Sequence, residues 1–443
     1  MKFITKNFKG ENLRARILRS SSITFASYGL QQILRLISNL ILTRILFPEA
    51  FGIMALATAI LVGLTMLSDI GIEQSVIQNK SGSKGYFRNT AWVAQIFRGV
   101  ILWAFACLIA YPIALTYESP ILFPLICALG STLAIKGFST TSLAVANKEL
   151  KIFKLSIVTL GIQVSSVVLT IIFAFYTNSV WALVWGNVIS SLIGVFAGHI
   201  FLNDGFKHRF VVDWLSMRQI ISFGKWIFIS SIFGFLANQA DKMIIGKVLS
   251  LTELGIYTIA LTLAEVPRSI LFSLNRKVLF PVYSKIQDES EKEIRKKVLR
   301  SKLLICGMLL PIALFLLIFG SHITELLYDE RYINAGWMLQ VLAAGVAFQI
   351  ATNVGPFYLG FGRSGLFAFT IGIKAALLIS SMLIGSALYG SAGLVAGITI
   401  SSVLYYFVEI FYLYKFRIWF WYIDLFLIIL IGLVSFWVYK SNI

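Results

Sequence analysis

Charge is scarce in this sequence. Asp, Glu, Lys and Arg make up 13% of 443 residues, about half the share usual in a soluble domain. Cysteine and histidine number three each. Cys107, Cys127 and Cys306 lie in apolar runs, at spacings that fit neither a disulfide framework nor a zinc site. His199, His208 and His322 are far apart in the chain. No P-loop, nucleophile elbow, metal spacing or paired-carboxylate motif is present. These absences speak against an enzyme and predict neither a metal nor a cofactor. What the chain has in excess is apolar surface. Hydrophobic residues reach 58% and the mean hydropathy is +0.84. A soluble globule of this length has nowhere to hide so much, so the composition implies an all-α polytopic membrane protein. The formal charge of +18 then reads as basic loops rather than as a nucleic-acid surface.

A bilayer core of ~30 Å is crossed by ~20 helical residues. Windows of that length fall near 22–46, 51–77, 91–112, 119–141, 155–176, 180–202, 219–249, 254–281, 302–320, 337–359, 365–387 and 391–414. A thirteenth, near 420–439, carries Asp424 and is flanked by Trp419, Trp421 and Trp437. Lysines and arginines alternate from loop to loop. They crowd the tail (Lys2, Lys6, Lys9, Arg14, Arg16, Arg19) and the segment 283–302, whereas 321–336 on the other side holds Glu325, Asp329 and Glu330. The positive-inside rule puts the N-terminus in the cytoplasm. The segment 283–302 is a candidate contact for anionic membrane lipid or for assembly machinery, against the simpler reading of a solvated topogenic loop.

The chain also repeats itself. Residues 42–57, LTRILFPEAFGIMALA, lie over 245–260, IGKVLSLTELGIYTIA, with Arg44 on Lys247, Gly52 on Gly255 and Ala57 on Ala260. Six spans separate the copies, so the halves enter the membrane in the same direction, a parallel repeat. The expected organisation is a basic tail (1–21), an N-lobe of six helices (22–202), a linker (203–218), a C-lobe of six helices (219–414) and a thirteenth span with its tail (415–443). In transporters built this way the substrate binds where the repeats face one another.

Nine basic residues fall inside spans. Each costs ~2.5–3.5 kcal/mol at mid-membrane, so each needs water or a partner. Arg35, Arg98, Arg268 and Lys374 are the deepest and form a candidate cationic cavity for an anionic headgroup. Pyrophosphate suits it, because guanidinium grips phosphate oxygens in pairs. Lys136, Lys225 and Lys242 are secondary. The competing structural reading is internal pairing, Arg268 with Glu265 at i+3 or Lys242 with Asp241, and snorkelling for Lys136 and Lys225. Gln31, Arg35 and Asn39 share one helix face. Pro267 predicts a mid-depth kink. Asp69, Asp241, Glu265 and Glu409 are candidates for a coupling proton or sodium ion, against an interfacial cap for Asp69 and a structural role for Glu409.

The stretch from SSSITFASYGLQQILRLISNLILTRILFPEAFGIMALA through SDIGIEQSVIQ resembles the start of bacterial oligosaccharide flippases, the Wzx-type polysaccharide exporters. The turn ADKMIIGKVLSLTELGIYTIA resembles that family's second-half turn. The resemblance implies the multidrug/oligosaccharidyl-lipid/polysaccharide exporter superfamily, two six-helix lobes in a V shape, and a site in the bacterial inner membrane. It implies a substrate linked to undecaprenyl pyrophosphate, such as an O-antigen or capsule repeat unit, moved between leaflets at the expense of an ion gradient, with Arg35 the best-placed cation of the first span. A drug/cation antiporter of the same superfamily predicts an acid-dominated interior instead. A membrane polysaccharide polymerase predicts a larger catalytic outer loop.

Overall fold

The computed structural model describes residues 13–441 except 70, 80, 150 and 354, with the side chains of 13–25, 152, 222–230, 277, 364, 439 and 441 set aside. The described residues are helical and contain no strand. The chain runs through α1 (Leu13–Ile45), α2 (Pro48–Leu67), α3 (Ile72–Gln78), α4 (Gly85–Thr116), α5 (Leu122–Gly137), α6 (Ser142–Lys148), α7 (Ile152–Thr177) and α8 (Trp181–Phe201). It continues through α9 (Trp214–Val248), α10 (Leu251–Leu274), α11 (Phe280–Lys285), α12 (Glu291–Leu327), α13 (Ala335–Ala351), α14 (Gly355–Gly360), α15 (Ser364–Lys415) and α16 (Trp421–Ser441). Every one of the thirteen apolar segments falls on a helix or a broken helix. Among the described residues nine helices are long and apolar enough to cross a membrane, ten when the bent pair α5–α6 is counted as one span. α1 and α9 are as long, 33 and 35 residues, and hold the polar groups Gln31–Arg35–Asn39 and Asn238–Asp241–Lys242. α15 is two helices end to end, meeting at Tyr389 and at Gly390, whose φ of 60° only glycine adopts without strain.

The helices form two compact units. Unit 1 comprises residues 1–46 and 56–232, and unit 2 comprises 47–55 and 233–443. The order of elements in unit 1 recurs in unit 2. A long polar helix, a helix followed by a short one, a long helix, a second helix followed by a short one and two more long segments occur in each. In unit 1, α4 packs on α5, α5 on α8, and α7 on α8 and α1. In unit 2, α12 packs on α13 and α13 on α10 and α15. The repeated glycines meet within unit 2. A Cβ on Gly52 would lie 1.7 Å from the Leu251 carbonyl oxygen, and one on Gly255 would lie 1.8 Å from that of Pro48. Only hydrogen fits at either position.

Local chemistry sets the ends. The Ser250 and Ser290 hydroxyls accept the amides of Glu253 and Glu293 and cap α10 and α12. α10 runs unbroken through Pro267 to Leu274. The irregularity comes beyond it, in a π-helical turn over Asn275–Leu279. Asp424 of α16 is 2% exposed and forms an ion pair with Lys302 of α12, which is how a carboxylate is tolerated in the thirteenth segment.

Candidate functional site

Two helix breaks in unit 1 face one cavity. The first follows α2. The Asp69 carboxylate accepts the amide of Gly71, and Gly71 takes a φ of 63°, so the chain turns sharply before α3. The second lies between α5 and α6, which meet at 64°. There the Thr140 hydroxyl accepts the amide of Ser142. The breaks and α4 enclose about 390 Å³, lined by Asp69, Glu73, Gln74, Gln95, Arg98 and Lys136 among others. Irregular backbone at membrane depth is tolerated where it lines a wet cavity, because water satisfies the freed polar groups.

Arg98 is fixed in this cavity by its neighbours. Its Nε and Nη2 donate to the Ser68 hydroxyl, each over 3.2 Å, and Nη2 also donates to the Thr65 carbonyl over 2.8 Å. Nη1 makes no hydrogen bond among the described residues and is available to a ligand. Lys136 stands in the last turn of α5, where the helix dipole favours a cation. Gln95 donates to the carbonyls of Lys136 and Gly137 and holds the end of α5 against α4. Asp69 and Glu73 make the lining mixed in sign. Arg35 is exposed on α1 and does not line this cavity.

Beside the cavity, Arg88 of α4 is 4% exposed and gathers the loop that follows α8. It forms a forked pair with Asp204 at 2.7 and 3.2 Å, donates to the Thr141 and Ser142 hydroxyls, and stacks 4.0 Å above the Phe206 ring. Burial opposes the charge on Asp204, but hydrogen bonds from Arg88 and Ser142 outweigh it and hold its pKa at about 2. His208 lies against Trp92 and Phe206 and contacts Thr141. Burial first, then the charge of Arg88, lowers its pKa to about 4, so the ring is neutral at physiological pH.

Unit 2 collects a second set of charges. Arg268 donates to Glu265 over 3.2 Å, the i+3 pair read from the sequence, and to Asn238 of α9 over 2.9 Å. The Lys374 Nζ of α15 lies 5.7 Å from the centre of the Tyr405 ring. Lys242 donates to Gln239 rather than pairing with Asp241. Asp241 is 8% exposed and accepts the Tyr257 hydroxyl over 2.5 Å on one oxygen. Its other oxygen is buried and meets no partner among the described residues. The side chain of Lys225 lies outside the described residues.

Several polar groups escaped the sequence reading. Gln74, Gln95 and the Ser139–Thr141 run line the cavity although they sit in segments read as continuous spans. The run of hydroxyls in GFSTTS was the available sign of a break. Nothing in the local sequence around Arg88 marks the contacts it makes.

A bundle of long apolar helices, broken where polar residues collect, defines the class: a multi-pass helical membrane protein. The chain shares its fold with the lipid II flippase MurJ in an inward closed conformation, at a TM-score of 0.73 and 14% identity, over 96% of this chain and 93% of that one. It shares it also with an inward-facing multidrug resistance transporter of the MATE family and MOP superfamily, at a TM-score of 0.65 and 12% identity, over 87% and 95%. Residues 41–336, more than half of the sequence, match the family of polysaccharide biosynthesis proteins, and the chain belongs to that family. A relative is the lipopolysaccharide biosynthesis protein WzxC of Escherichia coli strain K12, 25% identical over 385 residues that cover 85% of this chain and 77% of the relative.

Proposed function

We propose that the protein moves a lipid-linked oligosaccharide from the cytoplasmic to the outer leaflet of a bacterial inner membrane by alternating access, with the N-terminus cytoplasmic. The observation that carries this reading is the unit 1 cavity, where a clamped guanidinium and a lysine face open space beside amides and carboxylates. Arg98 and Lys136 suit the pyrophosphate of the carrier, because charge-assisted bonds to phosphate are the strongest a side chain offers. Gln74, Gln95, Asp69 and Glu73 suit sugar hydroxyls, which both donate and accept. Arg268 and Lys374 of unit 2, with the exposed Arg35, would receive the same headgroup in other states of the cycle. The names of the relatives, one in lipopolysaccharide biosynthesis and one a flippase of a lipid-linked precursor, agree with this substrate class.

The coupling ion would sit at a carboxylate that has coordination to spare. Asp69 is engaged by its own turn and Glu265 by Arg268, whereas Asp241 keeps a buried oxygen with no partner among the described residues. Asp241 is therefore the coupling candidate, for a proton or a sodium ion.

The test is flipping of an undecaprenyl-pyrophosphate-linked oligosaccharide by the full chain in proteoliposomes, with and without an ion gradient. Gradient-dependent flipping supports the reading. Extrusion of a cationic dye without flipping would replace it with the drug/cation antiporter.

A further inference from the structure

α12 begins in the basic segment 283–302 and then packs beside α16. Between the two helices runs a groove of about 540 Å³, lined by Leu303, Gly307 and Leu314 of α12 and by Tyr422, Phe426 and Leu430 of α16 among others. No charged side chain of the described residues lines it. Behind it lies the buried core of unit 2. The Lys302–Asp424 ion pair fastens the two helices at the basic end. At 1.5 Å per residue the groove runs ~17 Å from Leu303 to Leu314, about half of the ~30 Å hydrocarbon core. Glycine weakens a helix interior relative to alanine, yet no neighbour demands one here, since a Cβ on Gly307 would meet no atom within 4 Å. What the missing side chain preserves is the width of the groove.

The groove face of α12 continues into charge. Lys292, Lys296, Arg300, Leu303, Gly307 and Leu314 recur at intervals of three, four or seven residues and so share one side of the helix. The three cations are exposed and have no hydrogen-bond or ion-pair partner among the described residues. The cations around them are engaged. Lys297 pairs with Glu289, Lys302 pairs with Asp424, and the Arg295 guanidinium lies 5.4 Å from the centre of the Phe420 ring. Along the axis Arg300 stands ~5 Å and Lys296 ~10 Å beyond the groove, at the level of the headgroups.

We propose that the groove binds one anionic phospholipid from the leaflet at the basic end of α12, which is the cytoplasmic leaflet on the topology given above. One acyl chain lies between α12 and α16, and Arg300 and Lys296 hold the phosphate. The length of the groove matches a chain confined to one leaflet and not the far longer polyprenyl chain of the carrier. The apolar lining accepts hydrocarbon and excludes sugar. The unmatched cations favour a headgroup of net negative charge over a zwitterionic one, whose own amine cancels the attraction. Tyr422, an amphipathic ring at the basic end, suits the level of the glycerol esters. The bound lipid joins two helices of unit 2 and is independent of what the unit 1 cavity carries.

The experiment places the full chain in phosphatidylcholine vesicles with a trace of phosphatidylglycerol that carries a photoreactive diazirine along one acyl chain. After irradiation, proteolysis and mass spectrometry locate the adducts. The expected result is labelling concentrated on 303–314 and 422–430, competed by unlabelled phosphatidylglycerol and not by phosphatidylethanolamine. Lys296→Gln and Arg300→Gln should each lower it about fivefold. Gly307→Phe fills the groove and should abolish labelling there while leaving other adducts unchanged. The competition on the wild-type chain decides the matter even if a variant does not fold. Equal competition by phosphatidylethanolamine, or adducts spread evenly over the apolar surface, would mean ordinary bilayer contact and overturns the proposal. A groove that takes no label overturns it as well and points to a second copy of the chain as its cover. The flipping reading stands under every one of these outcomes.

Discussion

The same sequence of elements ends in a wet cavity in unit 1 and in a filled core in unit 2. The breaks beside α2 and α5 open on about 390 Å³ lined by four charged side chains. The corresponding breaks beside α10 and α13 leave about 30 Å³, room for roughly one water. There Tyr283, Phe357, Tyr358, Phe361 and Phe416 stack on one another. The irregular backbone is tied by a reciprocal amide pair, Asn275 with Asn353, at 2.8 and 2.7 Å. A broken membrane helix needs its polar groups satisfied, and the two units meet that need by opposite means: solvent and charge in one, side-chain amides and aromatic packing in the other. On the proposed reading, the unit 1 break is where a hydrophilic ligand would enter, while the unit 2 break would serve as support.

Four experiments bear on this contrast. The largest effect on flipping is expected from Arg98→Ala. It removes the available Nη1, and loss of one charge-assisted bond is worth ~1.5–3 kcal/mol, or a fall in flipping of about 10- to 150-fold. The proteoliposome assay measures it, and a variant that flips at the wild-type rate would deny the cavity its role. Next is Arg88→Ala, which leaves Asp204 without its partner. A fully buried pair broken in this way loses ~3–5 kcal/mol, and about 3 kcal/mol is expected here because Asp204 keeps a side-chain exposure of 26%. Thermal unfolding in detergent reads it out. Asn353→Ala should destabilise unit 2 by ~1–3 kcal/mol by orphaning the Asn275 amide, with much of the loss recovered when both are replaced by leucine. Flipping at saturating substrate should change little if unit 2 is support at this end.

The smallest effect concerns pH. His208 is neutral in the fold, with a pKa lowered to about 4, while an unfolded histidine titrates near 6.5. A depressed value means that the docked loop keeps its full stability above about 6.5 and loses it as pH falls toward 4. Protection of 203–213 from proteolysis should weaken over that window, and His208→Phe should remove the dependence.

The spans were legible because length and hydropathy suffice to find a membrane helix. Gly52 and Gly255 were legible because the repeat displays both. The Glu265–Arg268 pair was legible because i+3 is a contact on any helix. The breaks were not, since Ser68–Gly71 and Phe138–Thr141 are too short to lower hydropathy over a window. Contacts between distant residues were hidden too. Nothing local joins Arg88 to Asp204, 116 residues on, or Tyr358 to Glu409, 51 residues on. Asp424 cast doubt on the last span only while Lys302 was out of sight.

Helix α2 is divided between the two units: Phe47–Ala55 belongs to unit 2, and Leu56 onward to unit 1. The chain thus changes unit inside a hydrogen-bonded rod and not across a slack connection. The Gly52–Gly255 crossing in unit 2 thus lies on the same helix that continues into unit 1, and a single methyl group added at either glycine would push α2 and α10 apart.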